Sequence, residues 1–403
     1  MAIDLSNIMF SDQNDIVPLS GMEEIVNTGI ANSLAGNDVI TGNGGWNAGF
    51  WNTGTFNTDD GNDIITGINT NYYGIFNSAG TLGTGEGNDT ITGIGYLGIF
   101  NGGRIDTGNG ENSIICQGTL INHGEVFLGD NNDLLTANVD SLTGAYGIEN
   151  YTIIDTGDGN DTITTTGGSI VNHNFMETGG GNDIITSTSF ISNEGVIETG
   201  NGADSIISHE SISNLGGVFL GEGNDSITAH TDGLSGHTLA NRNAIIETGE
   251  GHDIITINGS IYNDGIINTG NGDDFIVVNA TGREYDDIYN NGGAINMGNG
   301  NDSIIANKGF RSGPNSSGAW FLGEGDDYIK GFGSGDFYGG NGNDTLELTP
   351  GTYTVGIWGE GGESPIFTKG DQLMITSEFE QLKAGSIIYD FTSLTAGQII
   401  IVV

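Results

Sequence analysis

The 403-residue chain has few positive charges: 8 Lys and Arg stand against 52 Asp and Glu, for a formal net charge of −44. Phosphate backbones and anionic headgroups need a basic footprint, so neither nucleic acid nor an anionic membrane surface is an expected partner. Cations are. The only cysteine is Cys116, which excludes an intrachain disulfide. Only 4 prolines accompany 73 glycines, and there is no strict Gly-x-y period, which excludes collagen. No apolar run approaches the ~20 residues of a spanning helix, the longest being the terminal IIIVV. The opening MAIDLSNIMFSDQND has no basic or apolar stretch of the kind a Sec signal peptide carries. Hydrophobic residues are 35% of the chain, little for one thick core, yet isoleucine is spread evenly along it. That distribution predicts a thin core repeated along an axis.

What is abundant is one phrase. GEGNDTI stands at 85–91, GDGNDTI at 157–163, GEGNDSI at 221–227 and GNGNDSI at 298–304. Aligned on its aspartate, the phrase places Asp38, Asp63, Asp89, Asp133, Asp161, Asp183, Asp204, Asp225, Asp253, Asp274, Asp302, Asp327 and Asp344 in one column, with Asn112 in an additional copy. The frequent steps are 21 and 28 residues. Two residues after each is always Ile or Leu, from Ile40 to Leu346, and the residue after that is often Thr (Thr41, Thr66, Thr92, Thr136, Thr164, Thr186, Thr228, Thr256). This in-then-out alternation in good strand formers predicts a short half-buried strand. A second element reads Asn-x-x-x-apolar-x-x-Gly, with Asn at 52, 101, 122, 150, 172, 193, 214, 263 and 291, and Arg242 where an Asn is expected. Each repeat is thus read as two short strands and two turns.

A unit this small cannot bury its apolar face alone, but it can when stacked on its neighbours. The expected fold is all-β: a right-handed parallel β-solenoid (a β-roll or β-helix) over residues 34–347, with an N-terminal cap over 1–33 and a C-terminal cap over 348–403. Stacked Asn side chains can bond one another and serve structure. The residues added in the longer steps (VDSLTGAYGIE, TDGLSGHTLAN, TGREYDDIYNN) read as loops on one side of the solenoid. Stacked aspartates, in contrast, repel. Like charges 5 Å apart cost about 0.8 kcal/mol per pair even in water. Nothing basic is near to offset this, whereas a hard divalent cation takes six to eight carboxylate and carbonyl oxygens.

The phrase resembles the RTX, or haemolysin-type, calcium-binding repeat, Gly-Gly-x-Gly-x-Asp-x-apolar-x, and GGNGNDTLE at 339–347 fits all of it. The resemblance implies a parallel β-roll with Ca²⁺ between stacked turns. Its ligands would be the aligned aspartates, Asp336 near the C-terminus, and glycine carbonyls such as those of Gly221, Gly223, Gly249 and Gly251. It also implies type I export guided by the C-terminal segment, an extracellular location, and folding on calcium binding. Family members carry the motif twice per coil and this chain mostly once, so one row of ions is expected, roughly one per coil gap. Asn112 is expected to weaken two adjacent sites.

No HExxH, Gly-x-Ser-x-Gly or Walker motif is present. Pairs such as Asp59/Asp60, Glu23/Glu24 and Asp286/Asp287 read as solvated loop residues. His209 and His230 share a register, as do His123 and His173. Trp46, Trp51 and Phe56 recur every five residues, either as a wide early core or as a grip for sugars. The expected function is therefore a non-enzymatic structural or adhesive calcium-binding solenoid at a bacterial surface, with cell-surface polysaccharide or further copies of itself as partners. The alternatives are a polysaccharide lyase or epimerase-like β-helix, and a glycan-binding solenoid using those aromatics or an ice-binding one built on the Thr row. Arg104, Arg242, Arg283 and Arg311 are too scattered along the sequence for the enzymatic reading.

Overall fold

The computed structural model describes all residues except 1, 19–22, 46, 141–145, 232–236, 281–285, 315–316 and 360–363. The chain is an all-β parallel β-solenoid of about 13 turns. It divides into two compact units, Met1–Ser208 and His209–Val403. Five residues of each of the three inserted loops predicted from the 28-residue steps lie outside the described residues, as does Trp46.

In the first unit, one coil shows the plan. Strands Ser113–Gln117, Leu120–Asn122 and Glu125–Phe127 follow one another. The first buries Ile114 and Cys116 and turns Ser113, Ile115 and Gln117 outward, the alternation that its sequence requires. Gly118 then bends the chain at φ +130°, where an added Cβ would lie 2.4 Å from the Gly95 carbonyl oxygen, so no other residue fits. A coil of this kind therefore holds three strands, not the two expected, although in two earlier coils the first two run together as Ile64–Asn77 and Thr90–Asn101. The strand ending in Asn122 is a separate element, because Leu120 is buried and the Asn closes the strand instead of sitting alone in a turn.

Pairing between coils is parallel and in register. Thr90–Ile94 pair with Ser113–Gln117, and these in turn with Leu134–Asn138. Arg104–Asp106 pair with Glu125–Phe127, and these with Ile153–Asp155. The column two residues after the repeat aspartate, including Ile91, Ile114, Leu135 and Ile163, is fully buried. Coil pairing begins early in the chain: Ile3–Asp4 lie against Ile25–Val26, and Ile16–Val17 against Val39–Ile40.

The second unit repeats the plan, with Ser226–His230, Leu239–Asn241 and Ile245–Glu250 in one coil. At its C-terminal end Thr345–Leu348 pair in parallel with Gln381–Ala384. Gly351–Trp358 then add antiparallel neighbours, Ser364–Lys369 on one edge and Ile399–Val402 on the other. The terminal apolar run is thus an alternating strand, with Ile400 and Val402 buried and Ile399 and Ile401 exposed.

Candidate metal centre

The Gly-rich turn is built by stacking. Gly108 and Gly110 have φ of +71° and +138°, and a Cβ on either would meet the carbonyl oxygen of the glycine one coil earlier at 2.0 or 1.8 Å. The turns accordingly lie flat on one another, and the aspartate that ends each is drawn inward. All thirteen aligned aspartates are buried, none more than 3% exposed.

Their geometry follows one rule. In ten pairs the backbone N–H of one repeat aspartate donates to Oδ1 of the aspartate one coil further on. In the first unit this runs Asp38 to Asp63 (2.7 Å), Asp63 to Asp89 (2.8 Å), Asp133 to Asp161, Asp161 to Asp183 and Asp183 to Asp204 (each 2.8 Å). In the second it runs Asp225 to Asp253, Asp253 to Asp274, Asp274 to Asp302 (each 2.8 Å), Asp302 to Asp327 (2.7 Å) and Asp327 to Asp344 (2.9 Å). Two residues not recognised in the sequence complete the rows. The Asp15 N–H opens the first by donating to Asp38 (2.7 Å), and Glu380 Oε2 closes the second by accepting from the Asp344 N–H (2.7 Å).

The other carboxylate oxygen is left over. Oδ2 is buried and has no hydrogen-bond partner in Asp38, Asp63, Asp89, Asp133, Asp161, Asp183, Asp253, Asp274, Asp302, Asp327 and Asp344. The Thr58 hydroxyl lies near enough to Asp63 to lower its pKa, yet its proton is directed to the Thr84 carbonyl (3.1 Å). Burial is the largest influence, and it pushes the Asp63, Asp161, Asp302 and Asp344 carboxyls up to about 7, Asp133 to about 8, and Asp183, Asp274 and Asp327 to about 6. The backbone N–H bonds to Oδ1 pull the other way, and neighbouring aspartate charges add to the rise. A buried carboxylate oxygen with no donor needs a proton or a cation.

Asn112 shows what that oxygen faces. Its Oδ1 accepts from the Asp89 N–H at 2.9 Å, as an aspartate would, which fixes the orientation of the amide. Nδ2 then occupies the place of Oδ2 and donates to two carbonyls, Gly108 O (2.9 Å) and Leu128 O (3.0 Å). Asp161 has Gly157 and Thr178 at the equivalent positions. Among the described residues, no three His, Cys, Asp or Glu side chains converge on a metal position. A cation here would therefore be held by one carboxylate per coil together with backbone carbonyls. Oδ1 is committed to the backbone, so the oxygen an aspartate such as Asp63 or Asp161 would offer a cation is Oδ2, and Asn112 offers none in that place.

Asp336 stands apart from the row. It lies on the strand Gly335–Asn341, in register with Ala319 and Ile375 on the side of the coil that holds the Asn turn, and it is Asp344 that occupies the Gly turn. Missed in the sequence was the residue just before each aspartate. Asn37, Asn62 and Asn88 accept at Oδ1 from the backbone N–H one coil on (3.0, 2.9 and 3.0 Å), the reverse sense to the aspartates. The ND pair, present at nine of the thirteen aligned aspartates, was the available signal. The Thr before the first glycine was also missed: Thr84 and Thr107 are buried, and each donates to a carbonyl one coil further on.

At the opposite turn, Asn27, Asn52, Asn77, Asn101, Asn122, Asn150 and Asn172 each donate Nδ2 to the next Oδ1 at 2.8–2.9 Å. In the second unit the ladder passes through Asn241 and Asn290. Arg242 and Asn291, assigned to it from the sequence, lie one residue beyond. Arg242 instead sits over the Tyr262 ring at 4.8 Å. Arg311 sits over Tyr289 at 5.2 Å and Arg104 pairs with Asp106 and Glu125; Arg283 lies outside the described residues.

His123 and His173 are bridged by Tyr151, with ring centroids at 4.3 and 4.5 Å, in a stack that belongs to the coil spacing. His209 and His230 rings are 6.4 Å apart, and His230 Nδ1 meets Asn258 Nδ2 at 2.9 Å. Phe56 is core, whereas Trp51 packs against Phe76 with ring centroids at 4.8 Å and planes tilted by 49°. Asp287, read as a loop residue, is buried, with both oxygens bonded by the Ala280 and Lys308 N–H groups (2.7 Å each).

No protein-family model matches the chain, and no curated protein matches it in sequence. A solved structure similar to it is the X-ray crystal structure of a hyperactive, Ca²⁺-dependent, β-helical antifreeze protein from an Antarctic bacterium. The two share 20% identity and a TM-score of 0.49, over 75% of this chain and 82% of that one.

Proposed function

We propose that the chain is an extracellular calcium-binding β-solenoid of structural or adhesive role, whose acidic turns complete their fold around a row of Ca²⁺ ions. The observation that carries this reading is the column of buried Oδ2 atoms with no donor. Bound calcium supplies positive charge to a carboxylate and carbonyls that otherwise face one another. The residues that would hold it are the aligned aspartates from Asp38 to Asp344, with the carbonyls of the first glycine in each turn and of the residue before the next turn. An all-oxygen set of flexible backbone and carboxylate ligands suits calcium. The likeness of the phrase to RTX repeats supports the same ion and an exported chain. Affinity in the range of extracellular modules, about 10⁻⁴–10⁻³ M, would keep the turns empty inside a cell and filled outside.

The test is far-UV circular dichroism of the full chain after chelation, followed by calcium titration. Loss of β-signal and its recovery with calcium is expected. Full β-structure at neutral pH in chelator, unchanged by calcium, would overturn the reading.

A second reading rests on the outward face of the first strand row. In the first unit its paired positions, Val39/Thr41, Ile64/Thr66, Thr90/Thr92, Ser113/Ile115, Leu134/Thr136, Thr162/Thr164, Ile184/Thr186 and Ser205/Ile207, hold no charge, in a chain with 15% charged residues. A regular uncharged face of hydroxyls and methyls suits ordered water or another crystalline surface. Thermal hysteresis measured with bound calcium tests it, and none at high concentration would exclude ice as the target.

A further inference from the structure

We propose that Asn112 is a built-in replacement for a bound cation, and that it makes one seam of the first unit hold together without metal. The inference rests on the calcium reading and concerns which turn of the row escapes dependence on it.

Three observations carry it. Asn112 stands in the aspartate column at the same depth, 1% exposed, with the same bond from the preceding coil to Oδ1. Its Nδ2 makes the two carbonyl contacts, to Gly108 and Leu128, that give the position its chemistry. Leu128 O also accepts from Thr107 Oγ1 at 2.8 Å, so neither Thr107 nor Asn112 has a buried side-chain polar atom left over. Oδ2 of Asp89 on the coil before and of Asp133 on the coil after are both without a donor. An amide carries the donor that a carboxylate lacks, and it does so without charge. The seam between residues 108 and 128 therefore needs neither a cation nor a proton. It divides the first unit's row into a short array (Asp38, Asp63, Asp89) and a longer one beginning at Asp133. At limiting calcium this seam is where ordered coils persist, so that the arrays load outward from a closed turn.

Hydrogen–deuterium exchange of the full chain at limiting Ca²⁺ tests this, comparing the peptide spanning 108–128 with its equivalent spanning 157–178. The expected result is slower exchange in 108–128. Asn112→Asp should abolish that protection, and equilibrium dialysis against saturating Ca²⁺ should find one more ion per chain. Asp161→Asn should give the reverse: new protection in 157–178 at limiting calcium and one ion fewer. Equal exchange in the two peptides of the unmodified chain, together with an unchanged ion count in both variants, overturns the proposal while leaving the calcium row intact. If the unmodified chain takes up no Ca²⁺ at any concentration, the calcium reading itself has failed and this one falls with it.

Discussion

Each coil carries two columns of stacked polar side chains at opposite turns, one of asparagines and one of aspartates. Both are buried, both repeat at the coil spacing, and both bond from one coil to the next at under 3 Å in the first unit. They differ in one atom. An amide donates on one side and accepts on the other, so the Asn column closes on itself, and Asn150 Nδ2 even has enough hydrogens to bond Phe175 O as well (2.8 Å). A carboxylate only accepts, so eleven of the aligned aspartates, from Asp38 to Asp183 and from Asp253 to Asp344, leave Oδ2 unanswered. The same architecture is self-sufficient at one turn and conditional at the other, and the condition is a positive charge supplied from outside the chain.

The largest effect should come from removing that charge along the whole row. In chelator at pH 8 the cation-free chain is expected to lose most of its β-signal. The aspartates' folded pKa values lie above their ordinary value of 3.8, up to about 6–8. Protonated turns therefore stabilise the cation-free fold fully below about pH 4, and this stability is lost as pH rises through that range. Thermal unfolding in chelator from pH 3.5 to 8.5 should show melting temperatures falling with pH, and a rise would contradict the sign. Next, Asn150→Asp moves the aspartate problem to the turn where nothing answers it. It should cost about 3–5 kcal/mol, as an uncompensated buried charge does, with no rescue by calcium in denaturant titrations.

A smaller pair of substitutions sharpens the register. Asn241→Ala leaves Asn214 and Asn263 each short of a partner, at about 1–3 kcal/mol for each buried group. Arg242→Ala loses only an exposed ring contact and should cost less than about 1 kcal/mol. Equal losses in urea melts would put the ladder at the wrong residue. The smallest effect is expected of Thr84→Val, which removes one hydroxyl bond to the Thr107 carbonyl, about 1 kcal/mol by the same urea titration.

The buried Ile column and the aspartate column were legible in the sequence because strict spacing marks each of them, and stacking turns spacing directly into contact. The third strand was not, since Leu120, Ile148 and Ile170 precede the Asn by two residues whereas the step from the aspartate to the Asn varies with the inserted loops. Variable loop length also explains the slip by one residue at Asn241 and Asn290, where adjacent NRN and NN offer two candidates to the same pattern. Asp15 and Glu380 escaped notice for another reason. Asp15 has the ND pair and an apolar Val17 two residues on but none of the glycines, and Glu380 closes its row by position in space with no phrase around it.

The Asn column also has a direction. From Asn27 onward every Nδ2 in the first unit points toward the C-terminus, and Asn27 Oδ1, at the start, is buried with no donor. A coil inserted or deleted anywhere along such a column brings or removes one donor and one acceptor together. The number of unmatched atoms at that turn then stays at a single acceptor whatever the length, while the aspartate column gains one unmatched oxygen with every coil. Duplication of a repeat is thus neutral for one turn and, on the proposed calcium reading, raises the ion requirement of the other by one, so that the size of the protein and its appetite for cations would grow in step.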